Sequence, residues 1–145
     1  GIGIYGVSAL PDMRLAPVAS FKCKILQIKE LKPSDGTIGY GRHGKIASEG
    51  TVVATIPVGY ADGLDRHLSR GNASFMLNGH RVPTIGNICM DMSMLDVTGI
   101  DAKVGDTVTI FGEDPTITEL AEILGTIPYE ILTSVPRRIE RIIVR

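Results

Sequence analysis

The chain has 145 residues, 43% of them hydrophobic, and a formal net charge of −1. That is apolar material for one globular core rather than a disordered chain, and no stretch approaches the ~20 uninterrupted apolar residues of a membrane span. The near-neutral charge gives no global attraction to nucleic acid or acidic lipid, so neither is an expected partner. Two cysteines, Cys23 and Cys89, do not make a disulfide framework and fit reduced thiols in a cytoplasmic protein. The N-terminus lacks the basic-then-apolar pattern of a signal peptide. Gly1 is not an initiator methionine and opens directly on an apolar run, so the chain reads as a piece of something longer.

In chain order, the opening GIGIYG matches G-x-G-x-x-G. A dinucleotide site needs a strand before that motif and a helix after it, whereas Pro11 follows almost at once, so the match is a decoy. Val18 to Leu31 begins with strict alternation, Phe21, Cys23 and Ile25 against Lys22 and Lys24, and then slips by one residue at Leu26. Such a slip predicts a bulge or sharp bend in a strand. Thr51 to Pro57 is a continuous apolar strand expected to be buried on both faces. Ala73–Leu77 and His80–Ile85 flank Asn78-Gly79, a hairpin signal because both turn positions need positive φ. Further strands are expected over Ile88–Val97, Thr107–Phe111 and Ile139–Val144, the last returning the chain to the sheet. Thr116 and Glu119 form a capping box for a helix whose stripe is Ile117, Leu120, Ile123 and Leu124, with Gly125 as its stop. A second helical turn spans Tyr129 to Ser134 before Pro136. No repeat or linker divides the chain, so residues 1–145 read as one domain: mainly β, a closed or nearly closed β-barrel with one or two short helices.

His43, His67 and His80 lie in separate segments without paired spacing, and neither cysteine has a near partner, so no metal site is expected. The carboxylates Asp62 and Asp65, then Asp91 and Asp96, sit near glycines, where acids cap turns or pair with arginine more often than they perform acid–base chemistry. The basic tail, Arg137, Arg138, Arg141 and Arg145, is interrupted by Glu140 and reads as a solvated strand face rather than a phosphate patch. The unusual feature is the tyrosines. Tyr40, Tyr60 and Tyr129 sit in Gly39-Tyr40-Gly41, Gly59-Tyr60-Ala61-Asp62-Gly63 and Pro128-Tyr129-Glu130, not inside strands. Taken alone they are amphipathic residues at strand ends with hydroxyls in water; glycines beside them also admit close approach of a ligand.

Those stretches, with Gly86-Asn87-Ile88-Cys89-Met90-Asp91, resemble the C-terminal domain of alanine racemases. The likeness runs from GIGIYG through IGYGR, IPVGYADG, VPTIGNICMD, VGDTVTIFG and TIPYEILTSV to the final basic segment, and it is the ordered set that carries it. The resemblance implies a homodimeric isomerase in which each subunit has an N-terminal (β/α)8 barrel and this β-domain. Pyridoxal 5'-phosphate is then held covalently by a lysine of the barrel, and the β-domain of the other subunit completes the active site. Carried over by motif, Tyr40 resembles the catalytic acid–base tyrosine, and Met90 the residue contacting the substrate carboxylate through its backbone N–H. Tyr129 resembles the tyrosine bonding the cofactor phosphate, and Gly1 and Ile2 align with backbone donors to it. Tyr60 and Arg66 resemble residues lining the substrate entryway.

The implied chemistry interconverts L- and D-alanine and supplies D-alanine for the peptidoglycan of the cell wall. Racemisation needs a proton removed from one face of Cα and returned on the other, so a lysine and a tyrosine divide the work, and the cofactor ring serves as electron sink. A free phenol titrates near pH ~10, so the tyrosine must be made more acidic by its surroundings. No lysine of this chain lies in a matching motif, so the isolated domain is expected to be inactive. Met92 stands where many members carry a polar residue, and Asn87 where the position is often Arg, which puts entryway detail and substrate preference in question. A serine racemase relative would look similar, and a fusion to a cell-wall ligase is open. Related decarboxylases carry a distinct cysteine-centred motif in place of Ile88-Cys89-Met90-Asp91. A non-catalytic β-barrel module for dimerisation or binding is the alternative from another class.

Overall fold

The computed structural model describes residues 1–8, 10, 13 and 15–144. Pro11 and Arg145, which enter the sequence reading, lie outside the described residues. The opening glycine motif forms a short 3-10 turn over Ile2–Tyr5, not a strand-to-helix junction.

Nine strands follow among the described residues: β1 (Phe21–Lys24), β2 (Gln27–Leu31), β3 (Thr37–Ile38), β4 (Gly44–Lys45), β5 (Thr51–Ile56), β6 (Ser74–Leu77), β7 (His80–Pro83), β8 (Ser93–Asp96) and β9 (Thr107–Phe111). The expected bend separates β1 from β2, because the chain changes partner there: Ile25 N–H donates to the Asp106 carbonyl and Leu26 N–H to that of Thr55. The slip at Leu26 thus marks the corner where one strand passes from one sheet to the next. The 78–79 turn also forms as expected, with φ of 48° at Asn78 and 81° at Gly79.

The strands make a four-stranded sheet in the order β1-β9-β6-β7, a three-stranded sheet β2-β5-β8 and the hairpin β3-β4, every pairing antiparallel. The mainly-β expectation holds, but no closed barrel forms among the described residues. Between β7 and β8 the ladder is reduced to one bridge, Thr84 to Leu95. Two strand expectations fail with it. Ile88–Met92 is loop, and only Ser93–Asp96 of that run pairs in a sheet. Ile139–Val144 forms no strand; Ile143 is 88% exposed, and the Arg141 guanidinium folds back to donate to the carbonyls of Val135 and Ile139. Alternation alone proposes a strand, but a strand needs a free edge to pair with.

The core lies between the two larger sheets and α1 (Ile117–Leu124), and includes Ile25, Ile56, Phe75, Leu77, Leu95, Ile110 and Leu120. Thr116 Oγ accepts from the Glu119 N–H at 3.1 Å, and Gly125 stops the helix in the left-handed region. The other half of the capping box is diverted: Glu119 accepts from Arg81 on β7 at 2.8 Å, which ties the helix to the sheet. Ile123 turns outward, so the buried stripe is narrower than its sequence period. The second helical turn becomes α2 (Pro128–Ser134), packed on α1. No helix among the described residues is long and apolar enough to cross a membrane.

Cys23 packs from β1 against this core, and burial pushes its thiol up to about 12. The reactive species is the thiolate, so at pH ~8 iodoacetamide should leave Cys23 unmodified in the folded chain and alkylate it in urea, as read by mass spectrometry. Equal rates in both states would contradict this packing.

Candidate active site

Three glycine-bearing loops build one cleft. The first is the tip of the β3–β4 hairpin, where Tyr40–Arg42 form a short turn between Gly39 and Gly44. The second is the turn after β5, Gly59 to Gly63. The third is the loop 86–92 that leads into β8.

Backbone lies on backbone where these loops meet, which is why glycines stand there. A Cβ on Gly59 would come within 2.3 Å of both the Cys89 and Met90 carbonyl oxygens. Gly86, with φ of 69°, would place a Cβ 2.7 Å from the Ile38 carbonyl oxygen. At that closeness the second and third loops bond directly: Tyr60 N–H donates to Cys89 O at 3.0 Å and Ala61 N–H to Met90 O at 2.9 Å.

A charged clasp reinforces this contact. Asp62 is buried, and its two oxygens accept from the Gly59 N–H at 3.0 Å and from Arg138 Nε at 2.8 Å. The same guanidinium donates to Asp91 at 2.8 Å. Hydrogen bonding to Asp91 and then Asp62 holds the Arg138 proton more firmly than usual. Arg138 is therefore a structural partner of Asp62 and Asp91, not part of a solvated strand face. Asp65 accepts from the N–H and ring of His67 and so fixes the turn that carries Arg66. Partial burial opposes its ionisation, yet the His67 bonds hold this carboxyl below the usual carboxylate range. Asp96 accepts from the N–H and hydroxyl of Thr98.

The resulting cleft, about 680 Å³, is lined by Tyr40, Tyr60, Arg66, Asn87, Cys89 and Met90, among others. It gathers four of the seven sequence-nominated residues. Tyr40 is 77% exposed, and its hydroxyl has no hydrogen-bond partner among the described residues. The Met90 N–H is likewise unpartnered among them, while its carbonyl is used by Ala61. His43, a sequence neighbour of Tyr40, lines a separate depression with Lys45, Arg70 and Asp96. The other three candidates lie together elsewhere. Tyr129 on α2 packs edge-on against Tyr5 with ring centroids 6.2 Å apart, and its hydroxyl would be 3.7 Å from a Cβ on Gly1, the residue before Ile2. Sequence reasoning missed Arg138 and Asn87 as site builders. Nothing near Arg138 in the sequence points to a carboxylate 76 residues away, and Asn87 stands out only as a departure from a position that is often Arg.

Over residues 18–143 the sequence matches the family "Alanine racemase, C-terminal domain". The chain belongs to that family. An alanine racemase of Aquifex pyrophilus is 40% identical over 148 residues, a match covering 100% of this chain and 42% of that protein. The solved alanine racemase of Bacillus anthracis with bound L-Ala-P superposes with a TM-score of 0.88 at 34% identity, covering 100% of this chain and 39% of that one. The solved alanine racemase of Bartonella henselae with covalently bound pyridoxal phosphate superposes equally well, TM-score 0.88 at 34% identity, over 98% of this chain and 40% of that one. The chain therefore spans about two fifths of the length of these relatives.

Replacing Arg138 with Ala should leave Asp62 without its cation and loosen the clasp. Hydrogen–deuterium exchange at Gly59, Tyr60 and Ala61 is expected to rise about tenfold, with the β6–β7 hairpin unchanged. Unchanged exchange in the 59–61 turn would show that the clasp is not what holds the loops together.

Proposed function

We propose that this chain is the C-terminal β-domain of an alanine racemase, one wall of an active site whose other wall lies outside these residues. The observation that carries the reading is the convergence of Tyr40, Tyr60, Arg66 and Met90 on one cleft. In this reading the parent is a cytoplasmic homodimer, its lysine-bearing barrel precedes residue 1, and the β-domain of one subunit serves the barrel of the other. Its product would be D-alanine for cell-wall peptidoglycan.

Each residue then has a task its geometry suits. The Tyr40 phenolate oxygen takes the Cα proton of one alanine enantiomer and returns it to the same face in the reverse direction. The opposite face belongs to a group outside this chain. The unpartnered Met90 N–H donates to the substrate carboxylate, a charge-assisted bond that orients Cα without moving a proton. Tyr60 and Arg66 line the approach, where a cation favours an amino acid's carboxylate. Pyridoxal 5'-phosphate, when bound, supplies the electron sink for charge developing at Cα. The residues here fit its phosphate: a phenol hydroxyl on Tyr129 beside the turn that begins at Gly1 and Ile2 offers neutral donors, and the first N–H groups of such a turn have no partner within it. The chain alone should be inactive, because the cofactor lysine is not in it. A serine-preferring relative would use the same residues; nothing in the cleft favours it.

Two experiments test the reading in the full parent chain. Tyr40→Phe should reduce α-proton exchange from one alanine enantiomer by ~10³-fold or more, within the range for loss of a general base, and leave cofactor absorbance intact. Unchanged exchange from both enantiomers would remove Tyr40 from the reaction. Tyr129→Phe should weaken cofactor binding about tenfold, the value of one hydrogen bond to a charged group, measured by equilibrium binding. An unaltered affinity would detach Tyr129 from the phosphate.

A further inference from the structure

Asn87 is 6% exposed and stands beneath Tyr40. Its Nδ2 donates to the Tyr40 carbonyl at 2.8 Å, and its Oδ1 accepts from Arg70 Nε at 2.8 Å. An arginine only donates and a carbonyl only accepts, so the residue between them must do both. Only one orientation of the amide satisfies the pair, and Arg70 fixes it. Aspartate at this place could accept from Arg70 but could not donate to Tyr40, and leucine could do neither.

The hairpin tip needs such a fastening. Tyr40 is flanked by Gly39 and Gly41, with φ of 73° and 74°, the least constrained residues available. The tip is seated directly on Asn87: a Cβ on Gly39 would lie 3.5 Å from the Asn87 N, and one on Gly41 would lie 3.3 Å from its Nδ2. Arg70 is itself held in place, with left-handed φ of 60° and its N–H on the Gly86 carbonyl at 3.0 Å. Arg70, the 86–87 backbone and the Tyr40 tip thus form one hydrogen-bonded unit.

We propose that Asn87, oriented by Arg70, is a positioning residue that sets the Tyr40 backbone, and through it the phenol, at the mouth of the cleft. This rests on the reading of Tyr40 as the proton-transfer group. Asn87 does not touch substrate in this role; it removes the freedom that two glycines give to the tyrosine between them. A misplacement of order 1 Å at a reacting group costs about a hundredfold in rate, so a partly loosened tip should cost less than loss of the phenol itself.

The test uses the full parent chain with Asn87→Asp, which keeps shape and the Arg70 bond but removes the donor, with Asn87→Leu, and with Tyr40→Phe alongside. Asn87→Asp should slow α-proton exchange about tenfold or more from the enantiomer that Tyr40→Phe disables. Exchange from the other enantiomer and KM should change less than about twofold, and Tm should shift by less than about 4 °C. Fluorotyrosine placed at Tyr40 gives a readout independent of turnover: one sharp ¹⁹F resonance in the parent without added cofactor, broadened or split in Asn87→Asp and Asn87→Leu. Arg70→Lys should keep most of the parent behaviour and Arg70→Ala should not. If both enantiomers slow alike in Asn87→Asp, or the Tyr40 resonance is unchanged in both Asn87 variants, Asn87 does not position Tyr40. If Tyr40→Phe spares both exchanges, the reading of Tyr40 fails instead; a retained ¹⁹F response would then still show the fastening, without its catalytic purpose.

Discussion

The carboxylate of Asp62 sits 4% exposed at the join of two loops, and burial of a charge is tolerable only when the charge is paired and hydrogen-bonded. One oxygen is satisfied within its own turn by the Gly59 N–H; the other requires a cation from 76 residues further along the chain. Arg138 meets that need and also donates through Nη2 to Asp91. One guanidinium thus sets the spacing between the turn bearing Tyr60 and the loop bearing Met90. The ladder of Tyr60 and Ala61 N–H groups to Cys89 and Met90 carbonyls can form only at that spacing, and only because residue 59 has no side chain.

The fold delivers these loops through ordinary sheet logic. β5 is buried on both faces and runs straight into the Gly59 turn, so the turn starts from the most constrained strand of its sheet. β8 is its neighbour, and the 86–92 loop feeds β8 from the opposite end, which brings the two loops to the same edge. Buried hydroxyls fix the remaining freedom: Ser93 Oγ donates to the Val58 carbonyl, and Ser69 Oγ accepts from the Ile88 N–H. Tyr40 reaches the same edge on a two-residue-per-strand hairpin too short to hold itself, which is why its attachment to Asn87 matters to the shape of the cleft.

Much of this was legible in the residues. The parity slip at Leu26 marked the corner between sheets, Asn78-Gly79 the hairpin, Thr116 and Gly125 the ends of α1, and glycines beside tyrosines the loop walls. What stayed hidden were features decided by partners distant in sequence. Ile88–Met92 has the apolar content of a strand, but the Ile88 N–H is claimed by Ser69 Oγ and the Cys89 N–H by the Met92 carbonyl within the loop. Ile139–Val144 alternates well and finds no edge to join. Arg138 looked like one more charge on a basic tail, because nothing local announces a buried carboxylate elsewhere. Glu119 has the spacing of a cap partner, but its carboxylate is taken by Arg81 on β7.

The cleft's own form constrains how it can act. Its nominated phenol is 77% exposed, its Met90 N–H has no partner among the described residues, and loop-on-loop contacts of the 59–63 and 86–92 segments build its wall. Such a surface positions groups well and excludes water poorly. Proton transfer at carbon needs both, since preorganised donors are worth most where water is displaced. In the proposed reading, therefore, a second wall comes over Tyr40 before the chemistry is possible. In that reading the wall presents its own reacting group from the far side of Cα, because Tyr40, Tyr60, Arg66 and Met90 all line a single cleft. The open face of the cleft is, in that reading, a specification for its partner: a surface that covers Tyr40 and bears the opposing base.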